Sequence, residues 1–438
     1  MNPRQPSPPP RRPRLSPGRV VVGAVVLAAA LASLTMAGCR GWAGGVRPAE
    51  VRQEVLLNSA ANAVMEPLAM AVGADDSLLV AGGATATRQA WAARLSAANK
   101  VEWMYFRESP PAERLAQEAS STTPEFRAVA SMADGSVFLC GNTPYRSGAS
   151  NIFLTQLDRQ GQLLSERPLD TPALRGAMVY RADQCIAWGG GVVLLAHEQH
   201  YPLPGADGGH GVRASYLLLA FDRLGNFKWE RVVPTLGEGF APDGQGVVAR
   251  DAGGALLVSA TDNVDTEVLR FDADGQLRAH RRFDGRYLLI HGRDGDPVKL
   301  FGSVPANDAL PRSVVTLDET LAVVARTQGD KPFDFAVRHA FEKRDGSLLL
   351  FGSELHAEGE RLRAGVRLVD AALKQERHVA MDHRQRLEPS AILAAAGARR
   401  RDGGYAYATI AVPARAAVRT SGAEPADVVV GAVVTFLE

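Results

Sequence analysis

The feature that most constrains the fold is a short pattern that occurs seven times, a tight-turn signal followed by an apolar run. Asp-Gly, Gly-Gly and similar pairs accept the positive φ that a hairpin turn requires, so each copy predicts a turn followed by a β-strand. The copies are DDSLLVAGG from Asp75, DGSVFLCGN from Asp134, GGVVLLAHE from Gly190, GGALLVSAT from Gly253, GDPVKLFGS from Gly295, DGSLLLFGS from Asp345 and GGYAYATIA from Gly403.

A second hairpin follows most copies of the first. IFLTQLDRQGQLLSERPL from Ile152 and YLLLAFDRLGNFKWERVV from Tyr216 show an apolar strand, a polar turn and an alternating strand, whereas SVVTLDETLAVVART from Ser313 is degenerate. With the strand before each first turn, the repeat has four antiparallel strands, and such units repeated radially form a β-propeller. We therefore predict an all-β chain with a single β-propeller of seven four-stranded blades. Six blades, with the Gly295 copy as an insertion, are the alternative.

The last repeat ends at DVVVGAVVTFLE, which is its third strand, so its fourth strand is missing. The segment Val51–Leu57 belongs to no repeat of its own. We expect this N-terminal strand to pair at the outer edge of the last blade and thereby close the propeller.

The turn-rich repeats resemble the blades of kelch and PQQ-type propellers, loosely and over nearly the whole chain from Val51 onward. The Gly-Gly pair of kelch repeats is present in some copies, and the tryptophan that recurs at the end of PQQ-type blades occurs at Trp103 and Trp229. The resemblance implies the propeller architecture, and it identifies no ligand.

The N-terminal segment has the order of an export signal. Five arginines without an acidic residue precede the apolar stretch Val20–Ala37, which ends at Leu34-Thr35-Met36-Ala37-Gly38-Cys39. It resembles the signal peptide and lipobox of bacterial lipoproteins, with Met36 where leucine is usual. The resemblance implies that residues 1–38 are removed as a signal peptide and that lipid, including palmitate, is attached to Cys39. Residues 39–50 would then form a tether, and residues 51–438 the propeller. An uncleaved membrane anchor and ordinary secretion are the alternatives.

The resemblance implies a localisation in the bacterial cell envelope, at the outer membrane. The protein would face the periplasm and contact the membrane through its lipid. Without the five leader arginines the chain has 44 basic and 48 acidic residues, which argues against nucleic acid as a partner. Cys140 and Cys185 then remain in an oxidising compartment, where a disulfide between them is permitted. Two buried thiols are the alternative.

The connections that lengthen irregularly all leave the predicted blades on one face, which favours that face for binding. The longest holds His197, His200, Tyr201 and His210, which we predict to be a partner-contacting loop. His-Glu-x-His does not have the spacing of a helical zinc pair, and we expect no metal there.

No motif for a catalytic residue or a cofactor is present, and we expect neither. The favoured function is a non-enzymatic scaffold that binds a protein or envelope component. The alternative is a propeller enzyme, a hydrolase or quinoprotein-like oxidoreductase, with its site on the loop-bearing face.

The lipid anchor is tested by Cys39→Ser. The variant lacks the acceptor for lipid, so we expect the protein to leave the membrane fraction for the soluble fraction on cell fractionation. Continued integral association with the membrane would contradict the lipoprotein interpretation.

Overall fold

The computed structural model confirms the all-β class. The described part of the chain contains 28 strands and no helix, and none of it forms a helix long and apolar enough to cross a membrane. The chain divides into the unit Met1–Arg47 and the compact unit Pro48–Glu438. The predicted leader, Cys39 and the tether 39–50 lie outside the described residues. The structure describes residues 51–58, 65–84, 87–109, 123–143, 151–169, 179–200, 213–233, 246–251, 253–261, 265–291, 296–302, 312–330, 335–354, 363–379, 395–411 and 431–438.

The described strands fall into groups of four, in which neighbours pair antiparallel. The N-terminal strand is β1 (Val51–Asn58). The next three groups are β2 (Met65–Val72), β3 (Leu78–Ala84), β4 (Gln89–Leu95) and β5 (Val101–Phe106); β6 (Glu125–Ser131), β7 (Val137–Thr143), β8 (Asn151–Leu157) and β9 (Leu163–Pro168); and β10 (Val179–Trp188), β11 (Gly191–His200), β12 (Arg213–Phe221) and β13 (Phe227–Val233).

Three further groups follow the same order. They are β14 (Gly246–Arg250), β15 (Leu256–Thr261), β16 (Asp265–Phe271) and β17 (Leu277–Asp284); β18 (Tyr287–His291), β19 (Val298–Gly302), β20 (Ser313–Leu317) and β21 (Val323–Gln328); and β22 (Phe335–Glu342), β23 (Leu348–Glu354), β24 (Arg363–Val369) and β25 (Glu376–His378).

The last group joins the two ends of the described chain. It contains β26 (Ala395–Arg399), β27 (Tyr405–Ala411) and β28 (Gly431–Leu437), and β1 pairs antiparallel with β28 as its fourth strand. Its register places Val51 opposite Leu437 and Leu57 opposite Ala432.

Each group is covered on both faces by its neighbours. Along β3, Leu78 and Val80 pack with residues of β27 and β28, whereas Leu79 and Ala81 pack with residues of β6 and β7. A strand buried on both faces has an unbroken apolar sequence. This two-sided burial explains why the turn signal of each first hairpin precedes an apolar run.

The first strands of neighbouring groups contact one another along the whole series. Contacts join β2 to β6, β6 to β10, β10 to β14, β14 to β18, β18 to β22 and β22 to β26, and β26 also contacts β2. Strands β18 and β22 pair in parallel, with Ile290 opposite Ala340 and His291 opposite Phe341.

The tight turns lie at one end of each group, here named the turn end. They join the first strand to the second and the third to the fourth, so antiparallel order places both at the same end. Aspartates hold many of them: Asp222 Oδ1 accepts hydrogen bonds from the amides of Leu224 and Asn226, both at 2.8 Å. Asp272 makes the same pattern with Asp274 and Gln276. The other connections leave from the opposite end, named the connection end.

Side chains also link the turns of neighbouring groups. Trp103 Nε1 donates to the carbonyl oxygen of Arg159 at 3.0 Å, and an added Cβ on Gly161, which has φ +82°, would overlap its ring. At the junction of the last and first groups, Arg400 donates to Asn99 Oδ1 at 2.6 Å and lies 3.1 Å from Asp76. Each group is therefore joined to the next by specific polar contacts as well as by apolar packing.

Cys140 in β7 and Cys185 in β10 lie in one buried cluster between the second and third groups. Both are free thiols in the structure, and their side chains form a hydrogen bond to each other. Burial raises the pKa of the Cys185 thiol well above its ordinary value. The disulfide stays a prediction.

The pairing of β1 is tested by two adjacent leucines. Leu57 is fully buried in the cluster that β1 shares with β27 and β28, whereas Leu56 is 38 % exposed. We expect Leu57→Ala to lower the free energy of unfolding by about 2–5 kcal/mol, and Leu56→Ala to change it by less than about 1 kcal/mol, in denaturant titrations.

Deletion of Val51–Leu57 should lower the unfolding midpoint further, because it uncovers the outer edge of β28. Equal effects of the two leucine substitutions would contradict the burial of Leu57 against β27 and β28, and an unchanged midpoint after the deletion would show that β1 contributes nothing to this group.

Candidate functional site

Four first strands carry one extra residue near the connection end. In β6, Phe126 pairs with Gly141 and Ala128 with Cys140, so Arg127 is the extra residue of a β-bulge. The same break occurs at Leu68, Asp183 and Arg338 in β2, β10 and β22. A bulge bends its strand and re-aims a side chain, and bulges are frequent next to functional sites.

The residue opposite these bulges explains how the chain accommodates them. It is Gly82 in β3, Gly141 in β7 and Gly352 in β23, with Ala196 at the same place in β11. A Cβ built on Gly141 would overlap the carbonyl oxygen of Glu125, and one on Gly82 would overlap that of Glu66. Opposite the bulges of β2, β6 and β22 the two backbones are thus too close for a side chain, which is a recognised reason for glycine inside a strand. Opposite the bulge of β10 the chain accommodates the methyl group of Ala196.

Two of the bulges hold opposite charges side by side. Arg127 Nη1 lies 2.5 Å from Glu125 Oε1 in β6, and Arg181 Nε lies 2.7 Å from Asp183 Oδ1 in β10. The negative charge of Asp183 raises the pKa of Arg181, and burial opposes this shift. A hydrogen bond to Asp183 and the charge of Glu125 add to the increase. The two pairs therefore interact across neighbouring groups.

Glu66 in β2 extends the set to a third group. It is about half-buried, and that burial, together with the charge of Glu125, raises the pKa of its carboxyl above the ordinary value, while Arg127 opposes the shift. We name this set the bulge cluster; its members are Glu66, Glu125, Arg127, Arg181, Asp183 and His197.

Asp183 has the most unusual surroundings of the cluster. Its side chain is 8 % exposed. Oδ1 accepts the hydrogen bond of Arg181, and within the described part of the chain Oδ2 has no hydrogen-bond partner. A buried carboxylate oxygen without a donor is costly, because most buried polar atoms are hydrogen-bonded.

His197 is the member of the cluster that lies in a second strand, β11. It pairs with Tyr216 in β12, its ring centre is 5.0 Å from that of Tyr216, and it is 1 % exposed. Burial lowers the pKa of its imidazole to about 4, while the negative charge of Asp183 opposes the shift. At neutral pH the ring is therefore uncharged.

His197 lies in the strand β11 and not in the predicted loop, and its contact with a partner stays a prediction. The strand continues through it because Ala196 and His197 still pair with β12, and His200 is the last residue of β11. Tyr201 and His210 lie outside the described residues, and so does Cys39. Among the residues that the structure does describe, no three histidine, cysteine or acidic side chains are grouped to hold a metal ion.

The cluster itself was not predicted. Two sequence features could have indicated the cluster. Charged residues interrupt otherwise apolar first strands, and a glycine lies inside the apolar run of the second strand. Without the pairing register, these residues do not show that their strands meet.

No protein-family model matches the chain, and no curated protein has a significantly similar sequence. Solved structures are similar at a low level. A protein of unknown function from Dyadobacter fermentans has a TM-score of 0.47 and 10 % identity, covering 90 % of this chain and 100 % of its own. The β-propeller domain of the Trilobed protease from Pyrococcus furiosus has a TM-score of 0.42 and 10 % identity, and the match covers 79 % of this chain and 89 % of that domain's chain. Pyrococcus horikoshii acylaminoacyl peptidase has a TM-score of 0.43 and 12 % identity, and the match covers 80 % of this chain and 50 % of the peptidase chain.

The burial of His197 makes stability dependent on pH. The unfolded imidazole takes up a proton near pH 6.5, whereas the folded one resists protonation down to about pH 4. Folding is therefore opposed as pH falls through this window, by up to about 3 kcal/mol for this group. We expect His197→Phe to flatten the plot of unfolding free energy against pH between 6.5 and 4.

Burial also lowers the pKa of the partly buried His291 to about 4, so part of the slope should persist in His197→Phe and should decrease further in the double variant with His291→Phe. The exposed His378 supplies the control, since His378→Phe leaves both of these imidazoles in place. The same slope in wild type and double variant would contradict the assignment.

Proposed function

We propose that this chain is a lipid-anchored, extracytoplasmic binding protein. Its body is a seven-bladed β-propeller whose connection end binds a protein or another component of the cell envelope, without catalysing a reaction.

The blade number and the closure rest on strand order. The groups of four described above number seven, and the first strand of each contacts those of the groups before and after it, β26 and β2 included. Residues of β1, β2, β27 and β28 share one buried cluster, which supports a closed propeller with β1 as the outer strand of the last blade.

The anchor rests on the leader. The arginine-rich start, the apolar stretch and Cys39 support lipid attachment and removal of residues 1–38. In this proposal the tether 39–50 joins the lipid to β1, so the propeller stays near the membrane, at the outer membrane and on its periplasmic side.

The observation that carries the binding function is the bulge cluster. Three neighbouring first strands place charged side chains at the connection end, and two of these lie at bulges, Arg127 and Asp183. Burial of charges costs free energy even when they are paired, so such a set contributes little to stability compared with apolar residues. A role in recognition explains why charges lie where the neighbouring positions are apolar.

A hydrolase is the second candidate, and one observation favours it. The pKa of Glu66 is raised by burial and by the nearby charge of Glu125. A carboxyl group with a raised pKa beside a second carboxyl group is the arrangement that glycoside hydrolases use. Binding remains the better-supported function because Glu125 is engaged by Arg127.

The proposal is tested by crosslinking and affinity capture from intact envelopes with Arg127→Gln as the site variant. We expect wild type to capture a reproducible partner that Arg127→Gln loses, because this guanidinium is part of the bulge cluster. Arg159→Gln is the matched control, since Arg159 is exposed at the turn end.

Equal capture by all three proteins would contradict binding at the connection end. Hydrolysis of an envelope polymer by wild type but not by Glu66→Gln would favour the second candidate instead.

A further inference from the structure

We propose that the bulge cluster binds an alkylammonium group, with Asp183 Oδ2 as the acceptor of its N–H. The inference rests on the proposed binding function and names the chemistry that the site recognises.

The first argument is the acceptor itself. The side chain of Asp183 is 8 % exposed, and the hydrogen bond of Arg181 reaches only Oδ1. Oδ2 has no hydrogen-bond partner within the described ranges. A buried carboxylate oxygen that lacks a donor is costly, and a charged donor from a ligand removes that cost.

The second argument is the location of this oxygen. Asp183 is the extra residue of the bulge in β10, so its side chain is re-aimed relative to the regular alternation of the strand. The equivalent bulge in β6 carries Arg127 beside Glu125, at the same end of the neighbouring group. Asp183 is the fifth of the ten residues of β10, so this oxygen lies midway along the strand.

The third argument is the sign of the cluster's charge. Glu125 is balanced by Arg127, and Asp183 by Arg181. Glu66 is the carboxylate left over, and its neighbour Glu125 disfavours its ionisation. His197 supplies no compensating charge at neutral pH. The set thus carries a net charge of −1 when Glu66 is ionised, and a cation is the ligand that relieves it.

The fourth argument selects the cation. An anion would compete with Glu125 and Asp183 for guanidinium groups that are already engaged. A neutral donor would satisfy Asp183 and leave the extra charge of Glu66 in place. An alkylammonium group is compact, carries a full charge and has three N–H donors, so it can give Asp183 Oδ2 the charged donor that it lacks. A lysyl side chain and a free diamine both offer this chemistry.

The experiment titrates the full-length protein in detergent with three probes by calorimetry. They are Nα-acetyl-lysine methylamide, its Nε-acetylated neutral analogue, and cadaverine. We expect both ammonium probes to bind in the millimolar range or tighter and the neutral analogue not to bind. Tighter binding of the lysine probe identifies a protein's lysyl side chain as the source, and tighter binding of cadaverine identifies a free amine.

Asp183→Asn tests the acceptor with almost no change of shape. We expect it to weaken both ammonium probes roughly tenfold or more, as for the loss of a hydrogen bond to a charged group. Asp274→Asn is the matched control, because Asp274 lies exposed in a turn of the fourth group, at the turn end. Glu66→Gln provides a second site variant if Asp183→Asn does not fold, and it should weaken the same probes severalfold.

The inference is overturned if neither ammonium probe saturates the protein below roughly 10 mM. It is also overturned if the neutral analogue binds as tightly, or if the folded site variants keep wild-type affinity. Loss of envelope capture in Arg127→Gln without any amine binding would leave the proposed function standing and reject the ammonium ligand alone. Amine binding without envelope capture would do the reverse.

Discussion

The structure depends on the burial of both faces of each four-stranded group against its neighbours. Leu78 and Leu79 are adjacent in β3, yet they pack against different groups. The outer strands do not share this double burial, and Leu164, Val232 and Val324 are more than half exposed on them. A group without its neighbours would expose its apolar faces to water. The stability of each group therefore depends on the group before it and the group after it.

The bulges are departures from this regular packing. Elsewhere the first strands supply apolar side chains to the clusters between groups, and near the connection end they supply Glu66, Arg127 and Asp183 instead. Pairing of Arg127 with Glu125 and of Arg181 with Asp183 offsets part of the cost of placing charges there. The regular positions supply apolar packing, and the irregular positions carry the charged side chains.

The sequence predicted the elements much better than the site. Turn signals followed by apolar runs predicted β3, β7, β11, β15, β19, β23 and β27, because turn chemistry and two-sided burial are both local in sequence. Even the degenerate copy from Ser313 forms β20 and β21, since Asp318 accepts the turn amides and Leu321 adopts the positive φ that glycine supplies elsewhere.

The site was missed because it depends on register and on contacts between groups. Glycine and proline after His200 made a loop the natural interpretation of the whole histidine-containing segment, and the pairing of His197 with Tyr216 is not visible in one sequence.

The pairing of β1 with β28 has a consequence for the order of events during biosynthesis. Glu54 and Thr435 are 381 positions apart in the chain, yet their side chains share a hydrogen bond. During translation, the first of the described strands is therefore the last to find its partner, and closing so long a loop slows folding. A product truncated before Gly431 offers β1 no partner, and its unpaired edges are the kind of surface that chaperones and proteases of quality control recognise.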